Sequence, residues 1–183
     1  MGDKYARRKL MVFAEDEATA DVFTGFTDAL GKGMKVHAGC QDLLELVVCR
    51  GWKDARAQAL DYAGSRLFQN SVIHKKFEWY VLLWIDGDGF ADRGAQIRQE
   101  FPQQVREHVF VLCTLKEVEA LCNELGLGQT QGAKIGALLA QECEHATRLE
   151  DSLLWRQTQL AAPAGNNEQF LRLNTTVRPW LFP

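Results

Sequence analysis

The sequence has no C-x-x-C pair, no excess of positive charge and no apolar stretch of membrane-spanning length. Its five cysteines, Cys40, Cys49, Cys113, Cys122 and Cys143, form an odd set whose spacing does not suit zinc. They read as reduced, mostly buried thiols of a cytoplasmic protein. Lys and Arg number 21 against 24 Asp and Glu, a net charge of −3. No global positive field therefore advertises nucleic acid or an anionic membrane as a partner, and any contact with nucleic acid must be local. The opening residues, MGDKYARRKLMVFAEDE, are basic, but the apolar run that follows is short and ends in acids. Neither a signal peptide nor a membrane anchor is expected. Internal repeats and low-complexity tracts are also missing.

What is present is the composition of an ordinary folded chain, 46% hydrophobic and 25% charged over 183 residues. One domain over 1–183 is expected, with a core at about 9–125 and a helical extension and tail over 126–183. A chain of this length buries roughly two thirds of its unfolded surface and needs no covalent staples.

Lys9 to Ala14 (KLMVFA) is a nearly continuous apolar run, the pattern of a buried parallel strand. Val22, Phe23, Phe26, Ala29 and Leu30 then repeat at helical spacing, with Gly31 and Gly33 as the stop. A brief strand is expected around Met34 to Ala38. From Gln41 to Gln69 the pattern predicts mainly helix, in two apolar faces split by Gly51. Glu78 to Ile85 (EWYVLLWI) is the clearest strand and runs into Asp86-Gly87-Asp88-Gly89. A helix over Ala91 to Glu100, a buried strand over Val109 to Cys113 and a helix opened by a Thr114/Glu117 capping box follow. Gly126 to Gly132 reads as a loop, and Ile135 to Leu153 as a long amphipathic helix. The alternation predicts an α/β sandwich around a mostly parallel sheet, Rossmann-like, with the acidic turns at the carboxyl ends of strands where such folds hold ligands.

Glu15, Asp16 and Glu17 follow the first strand, and Asp86 and Asp88 follow the third. Carboxylates gathered at one sheet edge repel one another unless a cation is present, and hard oxygen donors suit Mg²⁺ or Mn²⁺. The D-x-D spacing lets two carboxylates reach one ion, and Gly87 and Gly89 let the backbone turn. The plainer reading of Asp16 and Glu17 is a helix N-terminus, and that of Asp-Gly-Asp-Gly is a turn. The plainer reading is preferred for Asp16 and Glu17, the functional one for Asp86 and Asp88.

The set of an acid after the first strand (Glu15), WIDGDG with Asp86 and Asp88, and TLKEVEAL with Glu117 and Glu119 resembles the Toprim domain, in particular the small Toprim proteins related to overcoming-lysogenization-defect nucleases. The resemblance covers roughly Lys9 to Leu125. It implies a metal-dependent site for phosphodiester chemistry on nucleic acid, in a nuclease or nuclease subunit that works beside an ATPase partner in genome maintenance or phage defence. By position, Glu15 would be general base or metal ligand, and Asp86 and Asp88 would be metal ligands. The glycine usual after the first glutamate is Asp16 here, which leaves Glu15 and Glu17 as alternatives for the first-strand acid. Glu117 is claimed by the capping box, so Glu119 is the candidate for the catalytic acid of the last motif. A non-catalytic Toprim-fold interaction protein and a small metal-dependent phosphohydrolase are the competing readings.

Other motifs are weaker. Gly25-x5-Gly31-Lys32-Gly33 misses the phosphate-loop spacing and lacks the hydroxyl residue after lysine. The Asp86 motif resembles D-x-D-G-T of haloacid-dehalogenase-like phosphatases, but Phe90 stands in place of the threonine and the motif follows the wrong strand. An EF-hand loop fails at Phe90 and Ala91. His74-Lys75-Lys76 could touch phosphate, but a short basic turn is more often a solvated one, and Arg93 and Arg98 could hold a phosphate, although arginines on a helix surface need no such role. Trp79 and Trp84 read as core, and Trp180 and Phe182 as tail aromatics packed on the domain.

Overall fold

The computed structural model describes residues 8–31, 44–74, 77–90, 92–114, 116–128 and 131–145, with 169, 172, 173, 175 and 176 of the tail. Strand β1 (Arg8–Ala14) leads through Glu15 and Asp16 into helix α1 (Glu17–Gly31), and β2 (Leu44–Val48) precedes α2 (Trp52–Gly64) and α3 (Arg66–Ile73). Strand β3 (Glu78–Asp86), α4 (Arg93–Glu100), a 3₁₀ turn (Gln103–His108), β4 (Val109–Thr114), α5 (Val118–Glu124) and α6 (Gly132–His145) complete the order. The strands form one sheet, ordered β2-β1-β3-β4, and every pairing is parallel.

Alternation along the strands splits the core in two, because successive side chains of a strand point to opposite faces. Leu10, Val12, Leu82, Trp84 and Leu112 meet Phe23, Leu121, Ile135 and Leu139 of α1, α5 and α6. Met11, Phe13, Val81, Leu83 and Ile85 meet Ala55, Ala59, Phe68, Ile97 and Val105 on the side of α2, α3, α4 and the 3₁₀ turn. The result is the helix–sheet–helix layering that the sequence implies, with α6 as the helical segment after the sheet. Helices α1 and α6 approach very closely. A Cβ on Gly25 would lie 2.0 Å from the Ala133 carbonyl oxygen, and one on Gly136 would lie 2.0 Å from that of Val22.

Two expectations change. Residues 44–48 are an edge strand beside β1 rather than the start of a helix, and Leu10 pairs with Leu44 and Ala14 with Val48. Five residues with Val47 and Val48 at the end fit a strand as well as a helix turn, and the open edge of β1 decides for the strand. Gly51, at φ 99°, marks the break and stands just before α2. Thr114 closes β4 instead of capping a helix; the residue at the start of α5 is Glu117, whose side chain makes no capping bond. The strand expected at Met34 to Ala38, the continuation of α6 to Leu153, and Trp180 and Phe182 lie outside the described residues. Among the described residues no helix is long and apolar enough to cross a membrane.

Sheet order places β1 at the turning point. The chain leaves β1 for β2 on one side and later returns to β3 on the other, so the strand order switches direction between β1 and β3, the place where open parallel sheets commonly bind ligands.

Candidate acidic metal centre

Parallel register sets the carboxyl ends side by side: Ala14 pairs with Trp84, and Asp86 pairs with Thr114. Gly87 then continues toward β4 and donates its N–H to the Thr114 carbonyl at 2.6 Å. Only glycine fits there, since a Cβ would lie 2.8 Å from that oxygen and 2.9 Å from the Cys113 sulfur. The loop folds back on Asp86, whose Oδ1 accepts the Asp88 N–H at 2.6 Å, while the Phe90 N–H bonds to the Gly87 carbonyl at 2.8 Å. Asp88 adopts φ 46° and Gly89 φ 77°, the left-handed turn that Asp and Gly tolerate best.

Asp86, Asp88 and Glu117 each present a carboxylate oxygen within 4.8 Å of the others. Asp86 is nearly buried, and Asp88 and Glu117 are exposed. Burial raises the Asp86 carboxyl pKa above its ordinary 3.8, and the negative charges of Asp88 and Glu117 raise it further; the Asp88 N–H and Arg93 pull the other way. Crowded oxygen donors of this kind match the preference of Mg²⁺ or Mn²⁺, whose opposite ligands in an octahedral shell lie about 4.2 Å apart.

Glu15 shares the edge but not the triad. Its main chain continues β1, with its N–H on the Trp84 carbonyl at 3.0 Å. Strand alternation places it with Met11 and Phe13, toward α2, whereas Asp86 follows Leu82 and Trp84 toward α1 and α5. Its Oε2 accepts the Asp86 N–H at 2.5 Å, and the carboxylate also takes a bond from the N–H of Trp52, the first residue of α2. Burial raises its pKa above 4.5, with added repulsion from Asp86 and Asp16, partly offset by those two N–H groups.

The remaining acids separate cleanly. Asp16 accepts the Thr19 N–H at 2.8 Å, the helix-start role of the plainer reading, and Glu17 is exposed in the first turn of α1. Glu119 is exposed in the first turn of α5, outside the triad. Glu117 was concealed in the sequence by its apparent capping box, yet it is the first acid after β4, which is the same signal that marks Glu15 and Asp86.

Arg93 is the cation of the site. Its Nη1 donates to Asp88 Oδ2 at 2.6 Å and to the Asp86 carbonyl at 3.1 Å. The guanidinium also lies 4.7 Å from the Trp52 ring centre and 5.1 Å from that of Phe90. Arg98 turns away to the Arg106 carbonyl and Glu107. Cys49, Cys113 and Cys122 are buried and form no disulfide among the described residues; burial pushes the Cys113 thiol up to about 12 and that of Cys49 to about 11, so neither is a nucleophile near neutrality. Comparison with family models, with curated proteins and with solved structures finds no match to this chain.

Proposed function

We propose that this chain is a Toprim-like, divalent-metal-dependent protein that acts on nucleic-acid phosphodiesters, as a nuclease or as the cleaving subunit of one. The observation that carries the reading is the convergence of Asp86, Asp88 and Glu117 beyond the carboxyl ends of β3 and β4, next to the switch in strand order between β1 and β3. The donor set fits a hard cation: three carboxylates from one strand end, its loop and the next loop, with no His or Cys ligand among them. Asp86, Asp88 and Glu117 would hold Mg²⁺ or Mn²⁺, and the ion when bound supplies charge stabilisation at the leaving oxygen and orientation of the attacking water. Glu15 would hold a proton at the same edge, a role supported by its bond to the Asp86 main chain and by burial that raises its pKa. Arg93 would hold a phosphate oxygen once Asp88 turns to the cation, a role supported by its contact with Asp88. An ATPase partner in trans follows from the resemblance alone, and a cytoplasmic location is supported by the buried cysteines that form no disulfide among the described residues.

A second reading, a non-catalytic interaction protein, is favoured by Arg93, which already neutralises Asp88 without a metal. Incubation of the purified protein with plasmid, linear and single-stranded DNA across a Mn²⁺ and Mg²⁺ titration separates the two. The nuclease reading expects cleavage that depends on metal and is lost in Asp86→Asn. Cleavage of none of the three, or full cleavage by the variant, contradicts it.

A further inference from the structure

We propose that the cleft between α2 and α4 seats one unstacked nucleobase with its phosphate, so that the substrate is single-stranded nucleic acid rather than intact duplex; this deepens the nuclease reading and rests on it for the identity of the reacting bond. The cleft has a volume of about 610 Å³, within the size range of sites that enclose a small ligand, and its lining includes Trp52, Lys53, Arg56, Phe90 and Arg93 with the acids Asp92 and Glu100. Phe90 is 64% exposed although it follows the D-x-D loop directly, so its ring does not serve the core. Arg93 stacks on Phe90 and Trp52 and braces both rings beside the opening. Lys53 has no ion-pair partner among the described residues and sits 5.7 Å from the Trp52 ring, at the start of α2. Arg56 is paired with Glu100.

An exposed aromatic ring, here Phe90, beside an unpaired cation is the kind of element that binds single strands, because every base offers a π-face and every linkage a charge. A base inside a duplex has both faces covered and cannot use them. Arg93, which lines this cleft, donates to Asp88 of the acidic centre, so a nucleotide seated there lies one ion pair away from the loop that carries Asp88. The net charge of −3 leaves stacking, not a broad basic surface, as the main source of affinity.

The test is fluorescence anisotropy with a labelled oligothymidylate and with a duplex of equal length, in millimolar Ca²⁺, on wild type, Phe90→Ala, Phe90→Tyr and Lys53→Gln. Wild type should bind the single strand more tightly than the duplex. Phe90→Ala should weaken single-strand binding by about tenfold, within the roughly 5–150-fold range expected for one lost base stack, and Phe90→Tyr should retain it. Lys53→Gln should reduce the salt slope by about one. The metal-induced rise in melting temperature, measured on the same samples, should be equal in wild type and Phe90→Ala, which also shows that the variant is folded. Absence of single-strand binding by wild type, equal binding by Phe90→Ala, or a duplex bound as tightly as the single strand overturns the proposal. Loss of the metal response with Phe90-dependent binding intact would instead remove the nuclease reading and leave the cleft assigned.

Discussion

The main-chain N–H of Asp86 donates to the carboxylate of Glu15 at 2.5 Å, joining the ends of two adjacent parallel strands through a side chain rather than through the sheet ladder. The bond orients the last residue of β3 while Glu15 is itself held by the first N–H of α2. Glu15 thus fixes the edge on which the acidic centre is built, and Asp86 presents its own carboxylate to the opposite face.

Replacing Glu15 by Gln should cost about 1–3 kcal/mol, because one of the two part-buried N–H donors then faces an amide N–H₂ or loses its acceptor. Denaturant unfolding of the variant measures this. Because Glu15 orients Asp86, metal affinity should fall as well, although Glu15 is not one of the three converging carboxylates.

Asp86→Asn should raise the melting temperature of the metal-free protein by about 2–4 °C, equivalent to about 1 kcal/mol in a chain of this size, by removing a carboxylate disfavoured by its burial and by repulsion within the triad. The gain should depend on pH. The folded-state pKa of Asp86 is raised above 3.8, so its favourable contribution is complete below 3.8 and is lost as pH rises through the folded value. The advantage of Asp86→Asn should therefore be largest above neutrality and shrink as pH falls toward 3.8.

His108 should act with the opposite sign. Its Nδ1 lies 3.0 Å from the Trp79 carbonyl, its ring stacks on Tyr80, and burial lowers its pKa below 6.5. Stability from the neutral imidazole is complete above 6.5 and is lost as pH falls through the folded value. Melting curves of His108→Gln should show a smaller loss below 6.5 than those of wild type.

Glu117→Gln should weaken Mn²⁺ binding by about tenfold or more, as loss of a direct ligand exceeds the usual effect of losing a supporting contact. Glu119→Gln should leave it unchanged. Calorimetric titration of both variants distinguishes the two glutamates, which stand two positions apart at the start of α5.

Gly25→Ala should destabilise the protein by about 3 kcal/mol or more, because the added methyl would overlap the Ala133 backbone and force α1 and α6 apart. Chemical denaturation reads this directly, and the metal response of the remaining folded protein should be unaltered.

The sheet was legible because KLMVFA, EWYVLLWI and VFVLC are short apolar runs, long enough for buried parallel strands and ended by acids or polar turns. β2 was not legible, since an edge strand half exposed to water carries no continuous apolar run and LELVV fits two periods. Asp86 and Asp88 stood out from their glycines. Glu117 did not, because the spacing from Thr114 mimics a capping box and only the length of β4 shows that Thr114 belongs to the sheet. The separation of Glu15 from the triad rests on strand parity across two elements far apart in sequence, which no local pattern encodes. The cleft of Trp52, Phe90 and Arg93 likewise exists only after α2 and α4 are laid on the same face of the sheet.

Thermal melting of wild type and Asp86→Asn in millimolar Mn²⁺ and in chelator tests the central claim most directly. An ion bound only by the native protein stabilises it by mass action, about 2.7 kcal/mol at a hundredfold excess over the dissociation constant. Wild type should melt higher in Mn²⁺ than in chelator, and Asp86→Asn should melt at the same temperature in both. A wild-type curve that ignores Mn²⁺, or an equal rise in Asp86→Asn, would show that Asp86, Asp88 and Glu117 do not form a cation site.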